Sequence, residues 1–267
     1  MIASADLHEA GPAIANGTAV LLLAGSSGRV ERERAELLAV TGARVRAIRW
    51  FGGTGQRPTP HEVPLELFAE QISSLRQDAD RVVLFGTSFG AEAALVTASR
   101  FAVDGVIAAA PSSVVWAGTD GTSWSSHWTH DGVPLPAVSF DPTWIPAAEP
   151  PSFLPLYEAS LRVDENATAA ARIRVEDITG EVLLVAAGDD QVWPSIYFAG
   201  AIEHVRRDAG LKTTIISHPQ AGHRMILPGE KAVSGGVSMR RGGTPEADAE
   251  LGARAWPEIL RMLQTAS

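Results

Sequence analysis

The sequence predicts an α/β protein whose mostly parallel sheet carries helices on both faces. Short, continuous apolar runs recur along the 267 residues, and segments with helical periodicity alternate with them. The runs are bounded by Gly, Pro, Ser or Asp, which is typical of strands that are buried on both faces of a sheet. Strands that alternate with helices are joined by crossover connections, and these connections produce a parallel sheet.

The individual elements follow from this pattern in chain order. Strands are predicted at 19–24, 44–50, 81–85, 103–110, 182–187 and 213–217. Helices are predicted at 30–41, 65–75, 91–100, 199–209 and 251–263. The last helix is amphipathic, since Leu251, Ala255, Ile259 and Leu263 recur at helical spacing.

We expect one domain over residues 1–267, with two segments outside the regular alternation. Residues 1–18 precede the first predicted strand and are expected to be an N-terminal extension. Residues 111–160 hold many prolines and four tryptophans, among them Trp124, Trp128 and Trp144, but show no clear period. A segment this long without regular structure is usually functional, so we expect it to form an insertion, or lid, over the top of the sheet.

Composition excludes several classes of protein. The net charge of −9 disfavours nucleic acid and anionic membranes as partners. The chain has no cysteine, which excludes disulfides, cysteine-ligated metals and a cysteine nucleophile. The N-terminus lacks the pattern of a signal peptide, and no apolar stretch is long enough to span a membrane. A cytoplasmic location is therefore expected, whereas the oligomeric state stays open.

The strongest chemical motif is Gly86-x-Ser88-x-Gly90, the G-x-S-x-G pattern of a nucleophile elbow. In this motif a serine sits on a sharp turn between a strand and a helix, as in α/β-hydrolases. The predicted strand 81–85 and helix 91–100 supply that context, and the pattern occurs once in the chain. The alternative is a Gly-rich turn with a serine that caps the helix.

A serine nucleophile requires a base, and the base requires an acid that orients it. His223 is the favoured base because it follows the last predicted strand in a Gly-containing loop. His218 is its nearest rival, and His127 and His130 could line a pocket. Either Asp189 or Asp190 follows the preceding strand, and we favour Asp190 as the acid.

An oxyanion hole needs two backbone N–H donors beside the nucleophile. We expect one from Phe89, directly after Ser88, and one from Ser26 in the loop after the first strand. The alternative for the segment 25–28 is a phosphate-binding loop, although no G-x-G-x-x-G pattern and no Walker lysine are present. The insertion's Trp124, Trp128 and Trp144 are predicted either to line an apolar acyl pocket or to pack the insertion onto the core.

Further segments, several of them longer than the elbow motif, carry a family resemblance that begins at about residue 19. They are 34–39 (RAELLA), 64–68 (PLELF), 86–90 (GTSFG), 111–116 (PSSVVW), 128–129 (WT), 132–136 (GVPLP), 188–195 (GDDQVWPS), 221–223 (AGH), 242–244 (GGT) and 255–256 (AW). In these segments the chain resembles the C-terminal catalytic domain of acyl-CoA thioesterases and bile acid-CoA:amino acid N-acyltransferases.

The resemblance implies an α/β-hydrolase fold, a triad of Ser88, Asp190 and His223, and acyl-CoA-like thioester substrates. The chain departs from the family pattern in two respects. The β-sandwich domain that precedes the catalytic domain in eukaryotic members has no counterpart in residues 1–18. The amino acid transferases use a cysteine nucleophile where this chain has serine, which favours hydrolysis over transfer.

The sequence therefore predicts a serine hydrolase that forms an acyl-serine, most simply an acyl-CoA-type thioesterase acting on a small-molecule thioester or ester. No metal and no organic cofactor are expected. The alternatives are a carboxylesterase, an acyltransferase to an amine or alcohol, and a non-catalytic ligand-binding protein on a hydrolase fold.

Overall fold

The computed structural model describes residues 2–232 and 237–264. In these residues the strands are β1 (Leu7–Ala10), β2 (Thr18–Leu23), β3 (Arg44–Ile48), β4 (Val63–Pro64), β5 (Arg81–Thr87), β6 (Gly105–Ala109), β7 (Ala117–Thr119), β8 (Trp124–Ser126), β9 (Trp128–His130), β10 (Val133–Pro134), β11 (Glu181–Ala187) and β12 (Thr214–His218). The α-helices are α1 (Arg32–Ala39), α2 (Glu66–Leu75), α3 (Phe89–Ala98), α4 (Leu154–Val163), α5 (Glu165–Ala170), α6 (Ser195–Asp208) and α7 (Pro245–Leu263). Two short 3₁₀ turns lie at Ser4–Asp6 and Val175–Asp177.

The main sheet of the described residues has the strand order β1-β3-β2-β5-β6-β11-β12. Every neighbouring pair is parallel except β1 and β3, which are antiparallel. The prediction of a mostly parallel α/β sheet is therefore confirmed. All parallel strands end at the same edge of the sheet, so the loops that follow them meet there.

The alternation of side chains along the central strands divides the core into two layers. In β2, Leu21 and Leu23 pack with residues of α2, α3 and α6, whereas Val20 and Leu22 pack with residues of α1 and α7. All six residues of β2 are buried. A strand that is covered on both faces must be apolar at every position, which explains the continuous apolar runs.

The N-terminal segment contributes to the sheet, contrary to the expectation that residues 1–18 are only an extension. Leu7 pairs with Ile48 and Ala10 with Val45, so β1 forms an antiparallel edge strand. The sequence did not predict this strand because its four residues include His8 and Glu9, which tolerate the partial exposure of an edge.

The segment 111–160 is more ordered than the sequence predicts. It contains the hairpin β7–β8 and the strand β9, which pairs with β10 on one side and β4 on the other. Strands of two or three residues are too short to show a period, so sequence patterns do not reveal them. Helix α5 was missed for the same reason, since it has only six residues.

The final helix begins earlier than predicted because it carries its own start signal. The Thr244 side chain accepts a hydrogen bond from the backbone N–H of Ala247, and Pro245 occupies the first helical position. In the described part of the chain, we find no helix with the length and apolar character needed to cross a membrane.

Candidate active site

Ser88 lies at the junction of β5 and α3, in a strained backbone conformation. Its φ and ψ angles are 58° and −123°, outside the regions that residues with a side chain normally occupy. Such a conformation costs about 1–3 kcal/mol and persists only when its surroundings impose it. This conformation turns the chain sharply, so that Ser88 lies at the edge of the sheet and at the N-terminus of α3.

The two glycines of the motif permit close backbone approaches on either side of Ser88. A side chain at Gly86 would overlap the backbone of Gly90, and one at Gly90 would overlap the carbonyl oxygen of Leu23. The tight turn therefore requires glycine at both positions. The structure thus has the geometry of a nucleophile elbow rather than that of a serine-capped turn, since no side-chain cap hydrogen bond is made by Ser88 in the described residues.

His223 lies in the loop after β12 and reaches the serine. Its Nε2 is 2.9 Å from the Oγ of Ser88, and its Nδ1 is 2.8 Å from Oδ2 of Asp190. The backbone N–H of His223 donates to the carbonyl oxygen of Arg241 over 2.8 Å. All three side chains are buried. This is the hydrogen-bonded order of nucleophile, base and orienting acid that acyl transfer requires.

The two neighbouring aspartates have different surroundings. Asp190 is buried, and its Oδ1 accepts hydrogen bonds from the backbone N–H groups of Val192 and Trp193 at 2.8 and 3.2 Å. These bonds fix the carboxylate that faces His223. Asp189 is exposed and accepts instead from the backbone N–H of Gly243, so it connects two loops rather than contacting the histidine.

The rival histidines lie beside carboxylates other than that of Asp190. His218 Nε2 is 2.9 Å from Oε2 of Glu250, and its Nδ1 accepts from the backbone N–H of Gln220. His127 is buried against Glu92, with 3.1 Å between Nδ1 and Oε1. His130 is half-buried, and its Nδ1 lies 3.8 Å from a carboxylate oxygen of Asp131. Each of these histidines therefore has local partners of its own.

The residues predicted for the oxyanion hole lie beside the serine. Ser26 and Phe89 both line the same cavity as Ser88. Gly25 approaches so closely that a side chain there would press against the Cβ of Ser88. The N–H of Phe89 belongs to the first turn of α3, where backbone donors have no partner within the helix. The arrangement is compatible with two N–H groups facing a developing oxyanion.

A cavity of about 500 Å³ opens onto Ser88 and His223. Its apolar wall comes largely from the segment 111–160 and the start of α4. The residues of that wall are Trp124, Phe140, Trp144, Phe153, Leu156 and Tyr157. Burial raises the pKa of the Tyr157 hydroxyl well above its usual range, so this side chain is neutral at physiological pH.

Trp124 and Trp144 line the cavity, as one of the two alternatives predicted, but Trp128 does not. Trp128 is fully buried, and its ring packs against those of Trp50 and Phe68. Its Nε1 donates to Oε1 of Glu92 over 2.8 Å. The expectation that Trp128 lines the pocket is therefore corrected: it anchors the insertion to the core.

Glu92 is a buried residue of the site region that sequence reasoning missed. Its Oε1 also accepts from the backbone N–H of Trp116, so this carboxylate binds three groups of the insertion through Trp116, His127 and Trp128. The available signal was a single acidic residue in the otherwise apolar helix α3. A buried carboxylate is tolerated only when several donors satisfy it.

A second buried carboxylate supports the histidine loop. Asp248, in the first turn of α7, accepts from the backbone N–H of Gly222 over 2.6 Å. Burial, followed by the nearby charge of Asp190, raises the pKa of the Asp248 carboxyl. The loop that carries His223 is therefore held by Asp248 on one side and by Arg241 on the other.

The strand order, the elbow after β5 and the long insertion are those of an α/β-hydrolase. The model of the BAAT / acyl-CoA thioester hydrolase C-terminal family matches residues 63–266, which is most of the chain. The chain therefore belongs to this family, as its sequence motifs indicated. The family model does not match residues 19–62, although the resemblance inferred from the sequence begins at about residue 19. None of the curated proteins matches the chain at a significant level.

Solved structures support the fold. A candidate dienelactone hydrolase from Klebsiella pneumoniae is 15% identical with a TM-score of 0.58, over 95% of this chain and 90% of its own. A lipase in its open form is 13% identical with a TM-score of 0.52, over 97% of this chain and 94% of its own. At these identities the likeness concerns the α/β-hydrolase fold alone.

Proposed function

We propose that this protein hydrolyses acyl thioesters of the acyl-CoA type through an acyl-serine intermediate. The observation that carries the proposal is the continuous hydrogen-bonded series from Ser88 Oγ through His223 to the Asp190 carboxylate. Membership of a family described as thioester hydrolases supports the choice of substrate.

The proposed reaction proceeds in two steps. His223 Nε2 takes the proton of Ser88 as Oγ attacks the thioester carbonyl, and the N–H groups of Ser26 and Phe89 bind the oxyanion. The C–S bond then breaks, and the protonated His223 gives its proton to the departing thiolate. A water molecule, deprotonated by His223, attacks the acyl-serine and releases the carboxylic acid. The protein's own groups carry each proton transfer.

The cavity supports an apolar acyl group. Its aromatic wall faces the serine, and burying an alkyl chain there stabilises the complex by about 0.8 kcal/mol per methylene. Serine as the nucleophile produces an oxygen ester rather than a thioester, which favours water over an amine as the acceptor. A carboxylesterase would use the same triad, so the leaving group must be tested directly.

The test measures free coenzyme A released from a chain-length series of acyl-CoA thioesters, beside matched p-nitrophenyl esters, with and without glycine. We expect a clear preference for one thioester chain length. In Ser88→Ala, turnover should fall by about 10⁶-fold while the fold is kept. Hydrolysis of esters with thioesters ignored would assign a carboxylesterase, and acyl-glycine as product would assign a transferase. Failure of a fluorophosphonate to label Ser88 would favour a ligand-binding role.

A further inference from the structure

The cavity beside Ser88 is positively charged, although the chain has a net charge of −9. Among the described residues that line it, five side chains are basic and three are acidic. The basic ones are Arg29, Arg34, Lys231, Arg224 and Arg241; the acidic ones are Glu31, Asp141 and Glu230. A cationic cavity in an acidic protein concentrates anionic ligands at that place.

Two of the basic residues form ion pairs with carboxylates that also line the cavity. Arg34 donates from Nε and Nη2 to the two carboxylate oxygens of Glu230, at 2.7 and 2.9 Å. Both side chains of this pair are buried in the cavity lining. Arg29 donates from Nε to Glu31 over 2.7 Å, while its side chain stays partly exposed.

Arg224 and Arg241 lie next to His223. Arg224 follows the histidine directly in sequence, and the carbonyl oxygen of Arg241 accepts the histidine's backbone N–H. The Arg241 guanidinium donates to the backbone carbonyls of Met239 and Val237, which orient it without neutralising its charge. Burial, followed by the positive charges of Arg241 and Arg29, lowers the pKa of Arg224, and the nearby charges of Glu31 and Asp248 oppose this shift.

The basic residues and the aromatic wall come from different parts of the chain, although the segments after β12 also place Met225, Ile226, Val237 and Met239 in the lining. The aromatic side chains belong to the insertion and α4, whereas Arg29 follows β2 and the two other arginines belong to segments that follow β12. The cavity thus offers an apolar surface for an acyl chain and a cationic surface beside the histidine. A leaving group must lie on the histidine's side, because His223 protonates it as it departs.

We propose that Arg29, Arg224 and Arg241 form an anion-binding subsite for a phosphate or carboxylate carried by the leaving group. This inference rests on the acyl-serine mechanism proposed above and goes further, because it states which end of the substrate is charged. Guanidinium groups bind both anions through paired, charge-assisted hydrogen bonds. The phosphate would stand on a pantetheine-type arm, and the carboxylate on a small thiol.

The experiment compares hexanoyl thioesters of four thiols. Coenzyme A carries phosphates and glutathione carries carboxylates, whereas pantetheine and N-acetylcysteamine are neutral. We expect a higher kcat/KM for an anionic leaving group than for a neutral one, with the difference reduced at about 0.5 M salt. Coenzyme A preferred over pantetheine, which shares its arm, identifies phosphate as the anion. A preference for the glutathione thioester alone identifies carboxylate.

Variants test whether the arginines cause this preference. Arg224→Gln and Arg241→Gln should each reduce the ratio of anionic to neutral kcat/KM by about tenfold, the effect of one charge-assisted hydrogen bond. Arg224→Lys keeps the charge and should retain part of the preference. The matched control is Arg254→Gln, since Arg254 lies half-exposed on α7 and its substitution should leave the ratio as it is.

The outcomes separate the two proposals. Equal turnover of neutral and anionic thioesters, or a ratio that survives in Arg224→Gln and Arg241→Gln, would overturn the anion-binding subsite and leave the hydrolase mechanism standing. No turnover of any of the four thioesters, together with a Ser88 that a fluorophosphonate does not label, would refute both.

Discussion

Replacing Asp190 with Asn should remove nearly all turnover without unfolding the protein. One carboxylate oxygen of Asp190 accepts from the backbone N–H groups of Val192 and Trp193, and an Asn carbonyl oxygen can do the same. The Asn amide nitrogen then takes the place of Oδ2, the oxygen nearer to Nδ1 of His223 at 2.8 Å, against 3.0 Å for Oδ1. Because an amide nitrogen only donates, Nδ1 has to become an acceptor and the proton moves to Nε2.

The magnitude of the loss follows from that change of tautomer. An imidazole protonated at Nε2 cannot accept the proton of Ser88, whose Oγ lies 2.9 Å away. The equivalent substitution in a serine protease triad lowers kcat by about 10⁴-fold. A factor of 10⁴ corresponds to about 5 kcal/mol of transition-state stabilisation. The assay is kcat/KM on a p-nitrophenyl ester, with circular dichroism and thermal unfolding to verify the fold.

Asp189→Asn is the matched control for this prediction. Asp189 is exposed, and its Oδ2 accepts from the backbone N–H of Gly243, so an Asn there can keep one acceptor. We expect a loss of about 1 kcal/mol in stability at most and turnover within a few-fold of wild type. The reasoning is refuted if Asp190→Asn keeps most of its turnover, or if the two variants lose turnover to the same extent.

Two further predictions concern the buried carboxylates. Glu92→Ala leaves three donors of the insertion without an acceptor, so the free energy of unfolding in urea should fall by about 3–5 kcal/mol. Glu92→Gln should lose less stability, because its amide oxygen can still accept. Small losses of equal size in both variants would contradict this. Because the pKa of Asp248 is higher in the folded than in the unfolded state, protonation of this carboxyl stabilises the folded protein. This stabilisation is fully present below the unfolded-state pKa and is lost as the pH rises through the higher folded-state pKa. As the pH rises through the range above about 4, the ordinary pKa of an aspartate, Asp248→Asn should become more stable relative to wild type in thermal unfolding, since its side chain can still accept from Gly222. A stability difference that is constant over this range, or that changes in the opposite direction, would argue against a raised pKa.

The proposed reactive residues can be located from the sequence because each follows a strand with a clear apolar pattern. Ser88 follows β5, Asp190 follows β11 and His223 follows β12. In a parallel sheet these ends share one edge, so chain order and strand ends together imply proximity. Spacing alone does not separate Asp189 from Asp190, because side-chain directions in a turn do not follow from it. The family resemblance favoured Asp190, and the structure has the Asp190 carboxylate against His223 and that of Asp189 against Gly243.

The walls of the cavity could not be predicted in the same way. Trp124 and Trp128 are four residues apart in a segment without a period, yet one is 62% exposed at the cavity and the other is fully buried. What separates them is the pairing of β9 with β4 and the hydrogen bond to Glu92, both of which connect distant parts of the chain. Tertiary pairing of short strands leaves no local signal.

The same division separates the chemistry of this protein from its specificity. The three residues of the proposed triad follow regular strands, and the sequence predicts where these strands end. The reaction class can therefore be proposed from the sequence. The cationic surface depends on Arg29 meeting Arg224 and Arg241 across about 200 residues of chain, in loops whose paths only the structure reveals. Under the proposed function, we expect these loops and the insertion to determine the acyl length and the leaving group. Changing the substrate should therefore require changes in the insertion and loops, while the elbow and its two glycines stay as they are.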